Sequence, residues 1–135
     1  AEARRRVLRE YDLEDGVRYH GPVYESEKAA LFAQASVFVF PSYNEAQSVV
    51  VIEALSARLP VITTPVGALP DLVVEDENGY LVTPGDASAL ADRIENLLAS
   101  PERRRKLGES SYARYRELFT LDQFEKKIVS ILSDA

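Results

Sequence analysis

The sequence contains no cysteine, no methionine and no tryptophan, and its one histidine is His20. Without cysteine there is no disulfide framework, no thiolate zinc ligand and no thiol nucleophile. With one histidine, the chain cannot build a two-His metal site or a histidine-based triad from its own residues. No apolar run approaches the ~20 residues that a membrane-spanning helix requires. The first residues carry no apolar signal region. Basic residues are the minority, 16 against 22 acidic ones, for a net charge of −6. That balance argues against a broad surface for a nucleic-acid backbone. The chemistry left to the chain is that of carboxylates, hydroxyls, backbone amides and cations. The missing methionine, also absent from the first position, leads us to expect a processed form or a piece of a longer protein.

What is present is ordinary for a globular protein: 46% hydrophobic and 28% charged residues in a chain of 135. Length predicts one domain, or a large part of one. Glu2 to Tyr11 reads as a helix. Asp15-Gly16 marks a turn, and Val17 to His20 reads as a short strand ending at Gly21-Pro22. Ser26 is a candidate cap for a helix reaching Ala35, with Ala29, Leu31, Phe32 and Ala35 as its buried positions. Val37 to Phe40 is a continuous apolar run, the pattern of a strand covered on both faces in a parallel sheet.

The alternation continues. Ser48 to Ala57 reads as a helix, Pro60 to Thr63 as a strand, and Gly67 to Val74 as a loop with one helical turn. Asn78-Gly79 is a turn before a strand over Tyr80 to Val82. Asp86 caps a helix with Leu90, Ile94, Leu97 and Leu98 on one face. Ser100-Pro101 opens a long helix to about Phe119. Thr120, with Gln123 three residues on, has the spacing of a capping box, before a last helix expected to turn Phe124, Ile128 and Ile131 inward. Strands alternating with helices predict an α/β fold, a Rossmann-like parallel sheet with flanking helices. About four strands are expected where a doubly wound domain has five or six, so residues 1–135 read as a single partial domain lacking its first strands.

In such a sheet, ligands bind beyond the C-terminal ends of the strands. Pro41 to Ser48 follows one such end and leads into a helix, whose free amides and positive dipole end suit a phosphate. Glu45 lies in that loop, and Glu53 lies in the helix that follows. A helical carboxylate there could accept hydrogen bonds from a ribose diol. The spacing fits a nucleotide diphosphate carrying a polyhydroxyl group. It equally fits a solvated loop acid and an acid favoured by the helix dipole. Against the second reading, Glu53 interrupts the apolar run from Val49 to Leu55, where an unpaired buried carboxylate would be costly.

The stretch from Val37 to Asp71 resembles the C-terminal domain of GT-B-fold glycosyltransferases of the large retaining family four, glycosyl transferases group 1. The resemblance rests on Pro41-Ser42, Glu45, Glu53-Ala54, Pro60-Val61-Ile62 and Val66-Gly67-Ala68-Leu69-Pro70-Asp71. Val17 to Pro22, Asn78 to Val82 and Pro84-Gly85-Asp86 extend it. The resemblance implies an enzyme using a nucleotide-diphospho-sugar donor, with an acceptor glycan, lipid or small molecule held by a missing N-terminal domain. It makes Glu45 the catalytic acid beside the donor sugar and Glu53 the acid on the ribose. It puts Gln47, Ser48 and Val49 at the diphosphate and sugar oxygens, and Tyr24 near the base. It implies neither metal nor cofactor, and the lack of an Asp-x-Asp motif agrees. A cytoplasmic enzyme is implied, with peripheral contact at the inner membrane face through the missing part as a variant.

Several positions depart from the family pattern. Ala46, Gln47 and Ser48 stand where Gly-Phe-Gly is common, which restricts close backbone approach to a ligand. Arg58 stands where a helix-terminating glycine is usual. The upstream strands and their basic pair are absent, and the clusters Arg4-Arg5-Arg6 and Arg103-Arg104-Arg105-Lys106 read as solvated faces instead. His20 reads as structural. The alternative is a degenerate, non-catalytic binding or assembly module. A nicotinamide-dependent oxidoreductase is set aside because no GxGxxG follows any strand.

Overall fold

The computed structural model describes residues 2–46 and 48–134. Its chain forms two compact units, the first ending at Ala30 and the second beginning at Leu31.

In the first unit, α1 spans Glu2–Glu10, followed by turns through Gly16. Val17 to His20 is not a strand, contrary to the expectation from its composition. A strand needs a ladder partner, and β-propensity alone does not supply one. Val17 and Tyr19 are exposed, and Tyr19 carries the Arg4 guanidinium 3.2 Å over its ring. His20 is likewise exposed and ends no strand. Helix α2, Glu25–Gln34, begins one residue before the expected cap, and none of its residues is fully buried.

Among the described residues the second unit is built on three parallel strands, β1 (Phe38–Phe40), β2 (Val61–Thr63) and β3 (Gly79–Leu81), in the order β1-β2-β3. Phe40 lies opposite Thr63, and Thr63 opposite Leu81, so the C-terminal ends are level. Both faces of the central strand are covered. Val61 packs with Val51, Ala54 and Leu55 of α3 (Val49–Ser56) and with Leu69 and Leu72 of α4 (Leu69–Leu72). Ile62 faces the other way, with Tyr80, Val82, Leu97 of α5 (Ala87–Ala99) and Leu107 of α6 (Pro101–Leu118). Among the described residues three strands form where about four were expected, and β1 is half-buried rather than enclosed.

The helix starts are set by local chemistry. The side chains of Ser48, Asp86, Ser100 and Thr120 accept from the amides of Val51, Ala89, Arg103 and Gln123, each three residues on. Helix α6 lies across the N-terminal ends of the strands. There the buried Ser111 hydroxyl donates to Leu59 O at 2.7 Å and is 3.2 Å from Asn78 O. Gly108 permits this approach, since a Cβ at that position would stand 2.3 Å from Arg58 O. Arg58 does take the left-handed conformation, at φ +59°. Its guanidinium stacks 3.7 Å over the Tyr112 ring and pairs with Glu109 at 3.3 Å.

The basic cluster of α6 is not simply solvated. Arg103 binds Asp76 at 2.8 Å and the Tyr80 hydroxyl, while Arg104 donates to Leu97 O and Leu98 O at the end of α5. Helix α7, Leu121–Ser133, corrects a second expectation. Phe124, Ile128 and Ile131 are 62%, 40% and 64% exposed rather than buried. The period makes the helix amphipathic, but burial requires a surface to pack against.

Candidate functional site

Residues 41–46 follow the C-terminal end of β1, and α3 begins at Val49, the place in an α/β sheet where ligands are commonly held. The carbonyls at and just past the end of β1 draw side-chain donors from the last residue of β2 and the residue after it. The Thr63 hydroxyl donates to Phe40 O at 2.7 Å, and the Thr64 hydroxyl donates to Ser42 O at 2.5 Å. Both threonines are fully buried. Ser42 then shapes the next turn, its hydroxyl donating to Asn44 O at 3.0 Å. Gly67, at φ +54°, lies against the backbone of Glu45, where an added Cβ would stand 1.4 Å from Glu45 O.

The sequence-predicted site residues distribute as follows. Glu45 is half-buried in the loop. Ser48 is buried, and its hydroxyl accepts from Val51 N at 3.3 Å as the N-cap of α3. Its oxygen thus serves the helix. Val49 is exposed and opens the first turn, where the helix itself supplies no acceptor for its amides. Glu53 is half-buried on α3, with its Oε2 closed off from solvent. Loop acid, helix start and helical acid therefore occupy one connected segment at the open end of the sheet. Gln47 lies outside the described residues. Tyr24 belongs to the first unit, with its ring 74% exposed.

Sequence reasoning missed Thr63 and Thr64. Two polar residues ending a buried strand were the available signal, because buried hydroxyls need partners. Beside the site, Pro41, Tyr43, Val82, Thr83, Asp86 and Leu90 line a recess of about 220 Å³. Among the described residues, no cluster of three histidine or acidic side chains is arranged to hold a metal ion.

A doubly covered parallel sheet, with a capped helix starting at its C-terminal edge, defines an α/β fold of the class whose ligands, where present, sit beyond the strand ends. Residues 2–114 match the family model for glycosyl transferases group 1, and the chain belongs to that family. It is 37% identical over 110 residues to a D-inositol 3-phosphate glycosyltransferase of Streptomyces avermitilis, covering 82% of this chain and 24% of that protein. It is 32% identical to an MMP alpha-(1->4)-mannosyltransferase of Mycolicibacterium hassiacum, covering 96% of this chain and 32% of the relative. The chain thus spans about a quarter to a third of these relatives. Among solved structures, sucrose-phosphate synthase from Thermosynechococcus elongatus superposes with a TM-score of 0.84 at 34% identity, over all of this chain and 36% of that one. The Anabaena protein HepE, solved in complex with UDP, reaches 0.89 at 22% identity, over 99% of this chain and 36% of that one, a likeness of fold. These neighbours are GT-B glycosyltransferases, as the sequence resemblance implied.

Proposed function

We propose that residues 1–135 are the donor-binding part of a metal-independent hexosyltransferase. On this reading the nucleotide-sugar diphosphate meets the amides at the start of α3, Glu53 accepts from the ribose hydroxyls, and Glu45 stands beside the sugar. Gln47 and Ser48 contribute backbone amides. An N-terminal domain outside this chain holds the acceptor, a glycan, lipid or small molecule. The sugar is transferred with retention, the acceptor attacking on the face from which the diphosphate leaves. Neither acid is a covalent nucleophile; oriented amides and the helix dipole stabilise the departing charge. The setting is cytoplasmic, since charged donors do not cross bilayers unaided, and peripheral to the membrane where the acceptor is a lipid.

The observation that carries this reading is the arrangement of Glu45, the α3 start and Glu53 on one segment at the open end of the sheet. HepE, which shares the fold, has been solved with UDP-glucose as well as with UDP. One observation favours the non-catalytic alternative: the Ser48 hydroxyl already satisfies the Val51 amide, leaving one fewer donor for a phosphate. Titrating UDP-glucose and GDP-mannose into the full-length protein, and then following nucleotide release with candidate acceptors, separates the readings. Binding with turnover is expected. Binding without turnover would favour the assembly module, and no binding of either donor would contradict the proposal.

A further inference from the structure

We propose that the segment Thr63–Gly67 is a clamp that sets the position of Glu45, with Thr64 as its positioning residue. The inference rests on the reading of Glu45 as the acid beside the donor sugar.

Backbone pairing between β1 and β2 stops at Phe40 opposite Thr63. At that point and beyond it, carbonyls at the top of a buried sheet still call for donors; Phe40 O takes one from the Ser42 amide at 3.0 Å. The Thr63 hydroxyl serves Phe40 O, the Thr64 hydroxyl serves Ser42 O, and Gly67 abuts the Glu45 peptide. The three grips run in the same direction along both segments. Two threonine hydroxyls and the close approach of Gly67 thereby continue the strand alignment five residues past the end of β1, to the acid itself. Between the second and third grips, Ser42 binds both backbone groups of Asn44, donating to its carbonyl at 3.0 Å and accepting from its amide at 3.3 Å. The backbone from Phe40 to Glu45 is therefore held before any ligand arrives. A carboxylate that must meet a reacting sugar gains from such fixation, because small misplacements of a reacting group cost rate rather than affinity.

A merely structural threonine would behave differently, and Ser111 provides the control. It is a buried hydroxyl with a carbonyl acceptor, at the opposite end of the strands. The test uses the full-length protein and its Thr64→Val, Thr64→Ser and Ser111→Ala variants. Four quantities are measured: amide exchange at residues 44–46, UDP affinity, turnover of UDP-glucose, and Tm. Thr64→Val is expected to speed exchange at 44–46 and to lower turnover about 10-fold or more, with UDP affinity unchanged. Thr64→Ser should restore both exchange and turnover. Ser111→Ala should lower Tm alone. Unchanged exchange at 44–46 in Thr64→Val would overturn the clamp. So would turnover and UDP affinity falling together with Tm in both Thr64→Val and Ser111→Ala. If the wild-type protein neither binds UDP nor consumes UDP-glucose, it is the functional reading that fails, while the exchange result still decides the clamp.

Discussion

Glu53 lies among Val50, Val51, Ile52, Ala54 and Leu55 on a helix whose neighbours are core residues. A carboxylate in such surroundings calls for polar partners, and the role proposed for it is to accept from two ribose hydroxyls. Glu53→Ala should therefore weaken nucleotide binding by about 1–3 kcal/mol, the range for hydrogen bonds to a charged group. Calorimetry on the full-length protein reads this directly, and unchanged affinity would remove the residue from the site. Glu45 is predicted to act at the sugar instead. Glu45→Gln should lower kcat and kcat/KM alike while leaving UDP affinity unaltered; wild-type turnover would make it an ordinary loop acid. The positions of the two acids, one in the loop and one on the helix, were legible in the sequence because they depend on local pattern, whereas their roles are proposed from the family resemblance. Thr64 was not legible, because its partner, Ser42 O, lies 22 residues away and is met only through strand pairing.

Among the elements, helix starts were legible and burial was not. Asp86, Ser100 and Thr120 cap their helices as read, since a cap involves neighbours three residues apart; Ser48 caps α3 in the same way, while Ser26, read as a cap, lies inside α2. Ser48→Ala should cost about 0.5–2 kcal/mol of stability, measured by urea unfolding, as other lost caps do. The α7 face and the Val17–His20 segment failed as predictions for the same reason. Periodicity and propensity describe what a segment can bury or pair, and the second surface must come from elsewhere.

Arg58 shows two opposing effects at a helix end. Its left-handed backbone costs about 1–2 kcal/mol relative to a relaxed conformation, while stacking on Tyr112 returns about 0.5–1 kcal/mol at an exposed site. Arg58→Gly should therefore change Tm little. Arg58→Ala keeps the strain and loses the stacking, so it should lower Tm; equal values for the two variants would contradict this balance.

At the scale of the molecule, the described sheet ends at β1, which pairs with β2 alone among the described residues. An apolar strand at an edge calls for a neighbour. Helix α7 adds a second uncovered apolar surface, and the family relatives are three to four times as long as the segment they share with this chain. On the proposed reading, in which a further domain holds the acceptor, the 135 residues expressed alone are expected to show no sugar transfer. Transfer by that isolated chain would refute the division of labour. The central claim, that the α3 start and its two acids hold a sugar nucleotide, is tested most directly by a crystal structure of the full-length protein with bound UDP-glucose. The account predicts diphosphate oxygens within hydrogen-bonding distance of the first α3 amides, Glu53 on the ribose and Glu45 on the sugar. A nucleotide seated away from the β1–α3 junction would contradict it.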